Sequence, residues 1–227
     1  MSDYAATRAR VEDYFDRTAT TVWERLTSDA PVSGIRATVR AGRDRMRALM
    51  LAQLPADLRG ARVLDAGCGT GTMAVELAAR GAEVVAVDIS PALIDIARKR
   101  APEARVRWHA GDMMDPGLGR FDHIVAMDSM IYYSAVDIAA ILGRAAPRLG
   151  GKFVFTMAPR TPALMAMWRV GKLFPRKDRS PVMIPQTAAA IAAALRASSN
   201  RGRLAEVERV KSGFYISSAL VYQGPTA

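Results

Sequence analysis

The stretch Val63-Leu-Asp-Ala-Gly-Cys-Gly-Thr-Gly71 constrains the chain more than any other. A short apolar run opens at Arg62 and passes directly into three glycines at alternate positions, Gly67, Gly69 and Gly71. Glycine takes backbone conformations that a Cβ forbids, and it lets a ligand lie against the main chain. A strand that ends in such a loop and leads into a helix opens a doubly wound α/β fold. Ligands of that fold bind beyond the carboxyl ends of the strands.

The sequence around this unit keeps the same alternation. Apolar, β-branched runs at 62–65, 83–88, 105–110, 121–127 and 152–157 predict five strands. Helical patterns at 73–80, at 91 onward and at 138–149 separate them. Ser90-Pro91 reads as an N-cap followed by proline at the first helical position. Strands spaced by helices in this way predict a mostly parallel sheet covered on both faces. Two more strands, at about 204–210 and 214–221, predict an antiparallel edge hairpin after an alanine-rich helix at 187–197.

Flanking this core, Val11, Tyr14, Phe15, Val22, Trp23 and Leu26 fall at helical spacing, and a second helical stretch runs from about 35 to 54. The stretch 162–174 is helical and rich in methionine and aromatics, and 175–185 is basic and proline-containing. The organisation read from the sequence is therefore an N-terminal helical arm or lid (1–57), a cofactor-binding core (58–159), a small helical cap insertion over the substrate (160–186), and the closing elements of the core (187–227).

Seventeen residues beyond Gly71, at the end of the second strand, Asp88 offers a carboxylate to both hydroxyls of a ribose. A dinucleotide fingerprint needs a third glycine at position 72, where this chain has Thr72. The acid Asp65 before the loop suits the ammonium of an amino acid instead. The motif Val63–Gly71 resembles motif I of class I methyltransferases, Asp88-Ile89-Ser90 their motif II, and Gly111-Asp112-Met113 the adenine-binding acid after their third strand. The run Phe121-Asp-His-Ile-Val-Ala-Met127 resembles their fourth strand. The resemblance implies a Rossmann-like class I methyltransferase sheet. It also implies S-adenosyl-L-methionine as cofactor, leaving as S-adenosyl-L-homocysteine. Asp65, Ala66, Gly67, Cys68, Gly69, Gly71, Asp88, Ile89, Asp112, Met113 and Met127 would line its site.

The acceptor is narrowed by what is missing. After the fourth strand the sequence reads Met127-Asp-Ser-Met-Ile-Tyr-Tyr133, without the Asn/Asp-Pro-Pro-Tyr/Phe tetrapeptide of adenine N-methyltransferases. The one cysteine, Cys68, belongs to the glycine loop and is no nucleophile for pyrimidine C5 chemistry. No aromatic-interleaved basic surface for nucleic acid is evident. An O-methyltransferase follows. The tracts Tyr14-Phe-Asp-Arg-Thr, Val39-Arg-Ala-Gly-Arg-Asp44, Gly171-Lys-Leu-Phe-Pro-Arg176 and Phe214-Tyr-Ile-Ser217 extend the likeness nearly end to end. Together they resemble the magnesium-protoporphyrin IX O-methyltransferases of the (bacterio)chlorophyll pathway. That resemblance implies esterification of one propionate of the magnesium porphyrin to the monomethyl ester. It also implies delivery of the substrate by the porphyrin-binding subunit of magnesium chelatase.

A porphyrin is flat and apolar with two carboxylates at one edge, so Met165 and Trp168 are candidates for its platform, and Arg169, Lys172 and Arg176 for its propionates. A propionate is already ionised at neutral pH, so Tyr132 or Tyr133 is expected to position it rather than deprotonate it. Many relatives carry histidine where this chain has Tyr132, which also favours a positioning role. The arm is expected to close over the cofactor with Tyr14 and Trp23, and Arg40 is a candidate for the methionine carboxylate.

The net charge is +10, and +8 of it lies in residues 160–227, with eleven Lys/Arg against three Asp/Glu. Such an excess draws anionic partners and is compatible with peripheral attachment to an acidic membrane. With a single cysteine, no apolar run of membrane-spanning length and no signal-peptide pattern at the start, a cytoplasmic protein is expected. Two histidines and no cysteine cluster predict no protein-bound metal; magnesium would belong to the substrate. Two other readings remain: an O-methyltransferase for another apolar acid or phenol such as a quinone precursor, and a basic RNA-binding protein on a vestigial cofactor fold.

Overall fold

The computed structural model describes residues 4–14, 34–161, 165 and 183–225. Seven strands form one sheet in the order β3-β2-β1-β4-β5-β7-β6. They are β1 (Arg62–Ala66), β2 (Glu83–Asp88), β3 (Val106–Ala110), β4 (His123–Ala126), β5 (Lys152–Met157), β6 (Arg203–Ser212) and β7 (Tyr215–Gln223). The pairs β1–β2, β2–β3, β1–β4 and β4–β5 are parallel, while β7 runs antiparallel to β5 and to β6. The expected α/β sheet with its antiparallel edge strand is present. Strand order reverses between β1 and β4, so a crevice opens beyond their carboxyl ends, directly above the glycine loop.

Six described helices accompany the sheet: α1 (Tyr4–Tyr14), α2 (Gly34–Leu51), α3 (Thr72–Ala79), α4 (Pro91–Arg100), α5 (Ala135–Ala145) and α6 (Ala188–Ala197). Ile138, Ile141 and Leu142 of α5 and Ile191 and Leu195 of α6 bury one face of the sheet against Leu64, Ile124, Phe153 and Phe155. Met46 and Met50 of α2 and Leu77 of α3 cover the other face against Val63, Val84, Val125 and Val154. Helix α2 is thus built into the core, with both methionines at 0% exposure.

Several boundaries differ from the sequence expectation for identifiable reasons. Helix α5 begins at Ala135 rather than 138 because Ser134 and Asp137 form a capping box. It ends at Ala145, and the chain continues as a short 3₁₀ turn that accommodates Pro147. The closing hairpin is longer than expected, and β4 is shorter, with Phe121 left in an isolated bridge to Leu149. Helix α1 starts at Tyr4, seven residues before the apolar pattern that predicted a helix there, because its packing rests on polar side chains. Residues 15–33, most of that predicted helix, lie outside the described residues.

Candidate cofactor and acceptor site

The loop after β1 turns through left-handed backbone at Gly67 (φ 79°) and Gly71 (φ 85°). A Cβ on Gly67 would sit 2.9 Å from Ser129 Oγ, and one on Gly71 would sit 2.8 Å from Trp108 Cζ3. Only glycine fits either place. Three hydrogen bonds tie the loop to β2: Gly67 N and Cys68 N donate to Val87 O at 2.7 and 3.0 Å, and Gly69 N donates to Asp88 Oδ2 at 2.8 Å. Asp88 Oδ1 accepts from Ser90 N at 3.0 Å, so both its oxygens are held at fixed positions at the mouth of β2. Above the loop lies a cavity of about 330 Å³.

The chemistry of its wall divides into three parts. Beneath the loop is Asp65, 1% exposed, whose Oδ2 has no hydrogen-bond partner. Burial, then the charge of Asp88, pushes its carboxyl up to about 7, although the Ala74 amide acts the other way. A buried acid with an unanswered oxygen, beside a cradle that a Cβ would fill, fits a small ligand carrying an ammonium. Burial also raises the Cys68 thiol well above its ordinary range, which makes it no nucleophile at neutral pH.

At a second part, beyond β3, the Asp112 carboxylate accepts from Tyr4 Oη at 2.5 Å, Arg8 Nη1 at 2.8 Å and Met114 N at 2.8 Å. The Tyr4 ring stacks on Tyr133 at 5.2 Å between centroids, and the Arg144 guanidinium lies 5.7 Å from the centre of the Tyr4 ring. Burial alone would raise Asp112; the bonds from Tyr4, Met114 and Arg8 outweigh it and hold the carboxyl below the usual carboxylate range.

A third part follows β4. Met130–Tyr132 form a 3₁₀ turn that brings Tyr132 and Tyr133 to the cavity wall. Burial pushes both phenols well above their ordinary range, and the largest further contribution comes from Asp128 for Tyr132 and from Asp112 for Tyr133. Both therefore keep their protons and can act as donors. Asp128 is a non-glycine residue in left-handed backbone (φ 57°), ion-paired with Arg43 of α2.

Of the sequence-predicted residues, Arg40, Asp65, Gly67, Cys68, Gly69, Asp88, Ile89, Asp112, Met113, Met127, Tyr132 and Tyr133 line this one cavity. Ala66 sits behind it, its carbonyl accepting from Ser129 Oγ at 2.7 Å, and Gly71 caps α3. Neither is among the lining residues. Tyr14 is not among the lining residues either, but it packs against Val11 and Leu93, which are. Met165 is half-buried, its amide donating to Thr161 O, and is not among the lining residues. Trp23, Trp168, Arg169, Lys172 and Arg176 lie outside the described residues. Sequence reading missed Tyr4, Arg8, Arg43, Asp128 and Ser129, which line the same cavity. The tract Val39–Asp44 carried a signal for Arg43; the polar helix α1 carried none.

His123 accepts from Lys152 N at 3.1 Å and is lowered, chiefly by burial, as a structural histidine would be. Among the described residues no group of three or more His, Cys, Asp or Glu side chains is placed to hold a metal ion. No described helix is long and apolar enough to cross a membrane.

The family described as "Magnesium-protoporphyrin IX methyltransferase C-terminus" matches residues 126–223, and "Methyltransferase domain" matches residues 63–150. The magnesium-protoporphyrin O-methyltransferase of Rhodobacter capsulatus is 57% identical over 98% of this chain and 99% of its own length. That of Synechocystis is 30% identical over 75% of this chain and 76% of its own. The crystal structure of the Synechocystis magnesium protoporphyrin IX methyltransferase with bound SAH superposes with a TM-score of 0.75 at 27% identity. It covers 93% of this chain and 97% of that one. With 57% identity to the Rhodobacter relative over nearly the whole of both chains, the chain belongs to the magnesium-protoporphyrin O-methyltransferase family.

Proposed function

We propose that this chain transfers a methyl group from S-adenosyl-L-methionine to one propionate of magnesium protoporphyrin IX, giving the monomethyl ester for (bacterio)chlorophyll synthesis. The observation that carries this reading is the single cavity that gathers Asp65, the glycine loop, Asp88, Asp112 and the tyrosine pair, in a chain 57% identical to a relative of that name.

When bound, the cofactor supplies a methyl group on a sulfonium, open to in-line displacement. In our assignment Asp65 and the backbone at Gly67 take its ammonium, and Arg40 its carboxylate. Cys68, Gly69, Asp88 and Ile89 would hold the ribose, Asp112 and Met113 the adenine, and Met127 would add an apolar contact to the cofactor. An ionised carboxylate needs no general base, so the protein's task is placement to within about 3 Å of the methyl carbon and removal of water. Tyr132, with Tyr133 beside it, is suited to direct one carboxylate oxygen, since its raised pKa keeps the donor proton in place.

We assign residues 160–186 to the substrate cap, with Met165 and Trp168 against the ring and Arg169, Lys172 and Arg176 toward the propionates. Within residues 1–57 we give the covering role to the part before α2, where Tyr14 and Trp23 lie, because α2 belongs to the core. The porphyrin-binding subunit of magnesium chelatase is the proposed donor of substrate. The basic residues 160–227 are proposed to favour a cytoplasmic enzyme with loose attachment to an anionic membrane.

The test is methyl transfer from labelled cofactor to magnesium protoporphyrin IX by the wild type and Asp88→Ala. One ester formed by the wild type and lost in the variant supports the assignment. Cofactor binding without porphyrin turnover would refute the acceptor and leave the methyltransferase chemistry.

A further inference from the structure

Apart from Arg40, two sequence tracts have no part in the cofactor assignment: Val39-Arg-Ala-Gly-Arg-Asp44 and Phe214-Tyr-Ile-Ser217. They meet in space. Gly42 of α2 lies so close to β7 that a Cβ would fall 2.7 Å from Tyr215 Cδ1 and 3.0 Å from Ser212 Cβ. Ser212 Oγ donates to Thr38 O at 2.8 Å, and a Cβ on Gly213 (φ 56°) would fall 2.8 Å from Thr38 Cβ. Helix α2 is therefore keyed into the C-terminal hairpin with no room to slide.

The junction ends on Asp128. Tyr215 Oη donates to Asp128 Oδ1 at 3.1 Å, Thr156 Oγ1 donates to the same oxygen at 3.3 Å, and Arg43 Nη1 pairs with Oδ2. Thr156 Oγ1 in turn accepts from Asp128 N at 2.7 Å. Residues from α2, β5 and β7 thus hold one carboxylate just past β4, in a backbone conformation that side chains with a Cβ seldom adopt. Asp128 and Arg43 are 8% and 18% exposed, and both line the cavity.

Charge and geometry define a use for this arrangement. Asp128 accepts from three donors, so it holds the Arg43 guanidinium at a fixed place on the cavity wall. A guanidinium presents a planar fork of five donors, able to serve two carboxylates along different edges. Position places Arg43 in the cavity: it pairs with Asp128, on the segment past β4 that turns through Met130–Tyr132 and carries Tyr132 to the same wall. Arg43 therefore belongs to the acceptor end.

We propose that Arg43 receives a carboxylate at the Tyr132 end of the cavity, that this carboxylate is a propionate of the substrate, and that Asp128 and Tyr215 are positioning residues that hold the guanidinium for it. This rests on the acceptor reading above. It gives the C-terminal hairpin a part in substrate selection although only Tyr215 of its tract reaches toward the site.

The experiment measures binding of magnesium protoporphyrin IX and of its dimethyl ester, by fluorescence quenching, to the wild type, Arg43→Gln, Arg43→Lys, Asp128→Asn and Tyr215→Phe. Calorimetry gives each protein's affinity for S-adenosylmethionine. The wild type should prefer the diacid by about tenfold or more, the scale of one charge-assisted pair. Arg43→Gln should cut that preference by about tenfold, leaving what the basic residues of the cap supply, while ester and cofactor affinities stay unchanged. Asp128→Asn and Tyr215→Phe should reduce it in part, and Arg43→Lys should restore part of it.

A diacid preference undiminished in Arg43→Gln overturns the inference. So does a loss confined to cofactor affinity, which would assign Arg43 to the methionine carboxylate, or a parallel loss of all three affinities, which would mark a structural role. The acceptor reading fails separately, if the wild type neither binds nor methylates magnesium protoporphyrin IX.

Discussion

The Tyr4 phenol donates to the Asp112 carboxylate at 2.5 Å, joining residues 108 positions apart. Arg8, one helical turn further along α1, takes the other oxygen. A helix with few apolar side chains is thereby docked on the core mainly through one acid. Replacing Asp112 with alanine removes both anchors, at a cost of about 1–3 kcal/mol to the docking of α1. Hydrogen exchange should speed up in residues 4–14 and stay unchanged in β1 and β2. Equal protection in the variant would mean that the stack of Tyr4 on Tyr133 and the packing of Val11 on Leu93 hold the helix without Asp112.

Asp65 gives a pH dependence whose sign is fixed by its raised pKa. Between an ordinary carboxylate value and about 7 the folded protein binds a proton that the unfolded chain releases. Unfolding free energy should therefore fall as pH rises through that window and level off above it. Asp65→Asn should remove this slope and be more stable than the wild type at pH 8, by about 2–4 kcal/mol. Cofactor affinity should behave oppositely: rising with pH in the wild type, low and flat in the variant. Parallel pH profiles for the two proteins in urea denaturation would sink the argument.

The sheet and the cofactor loop were legible because their signals are local. Strands β1 and β2 are near-continuous apolar runs, and the glycines of 67–71 stand beside each other in sequence as they do in space. Helix α1 was not legible, since Tyr-Ala-Ala-Thr-Arg-Ala-Arg-Val-Glu-Asp-Tyr carries no apolar stripe and its fixing partner comes from the end of β3. The Arg43–Asp128–Tyr215 set was hidden for a related reason. Its members lie 85 and 87 residues from Asp128, and only the antiparallel insertion of β7 beside β5 brings them together. Asp112 was found by motif, but its attachment to Tyr4 and Arg8 was not.

Gly67 separates backbone strain from steric conflict. Alanine there must adopt φ near 79° and also meet Ser129 Oγ at 2.9 Å, so Gly67→Ala should lose about 1–3 kcal/mol of stability and at least tenfold in cofactor affinity. Ser129→Gly in the same chain relieves the contact but not the dihedral. The double variant should recover part of the melting temperature and little of the affinity. Full recovery of both would show that the dihedral costs nothing at this site.

The final prediction concerns what part of the N-terminal region can move. Met46 and Met50 are fully buried against Val63, Val84 and Val154, and Gly42 leaves no space between α2 and the C-terminal hairpin. A helix packed in this way should unfold with the sheet rather than swing from it. Truncating Met50 to alanine should cost about 2–5 kcal/mol, the range for emptying a buried site of this size. Urea unfolding followed by far-ultraviolet dichroism and by tryptophan fluorescence should give one coincident transition, shifted to lower urea in the variant. Two separated transitions, with the fluorescence midpoint unmoved by Met50→Ala, would make α2 part of an independent lid and return the whole of residues 1–57 to the role of a closing arm.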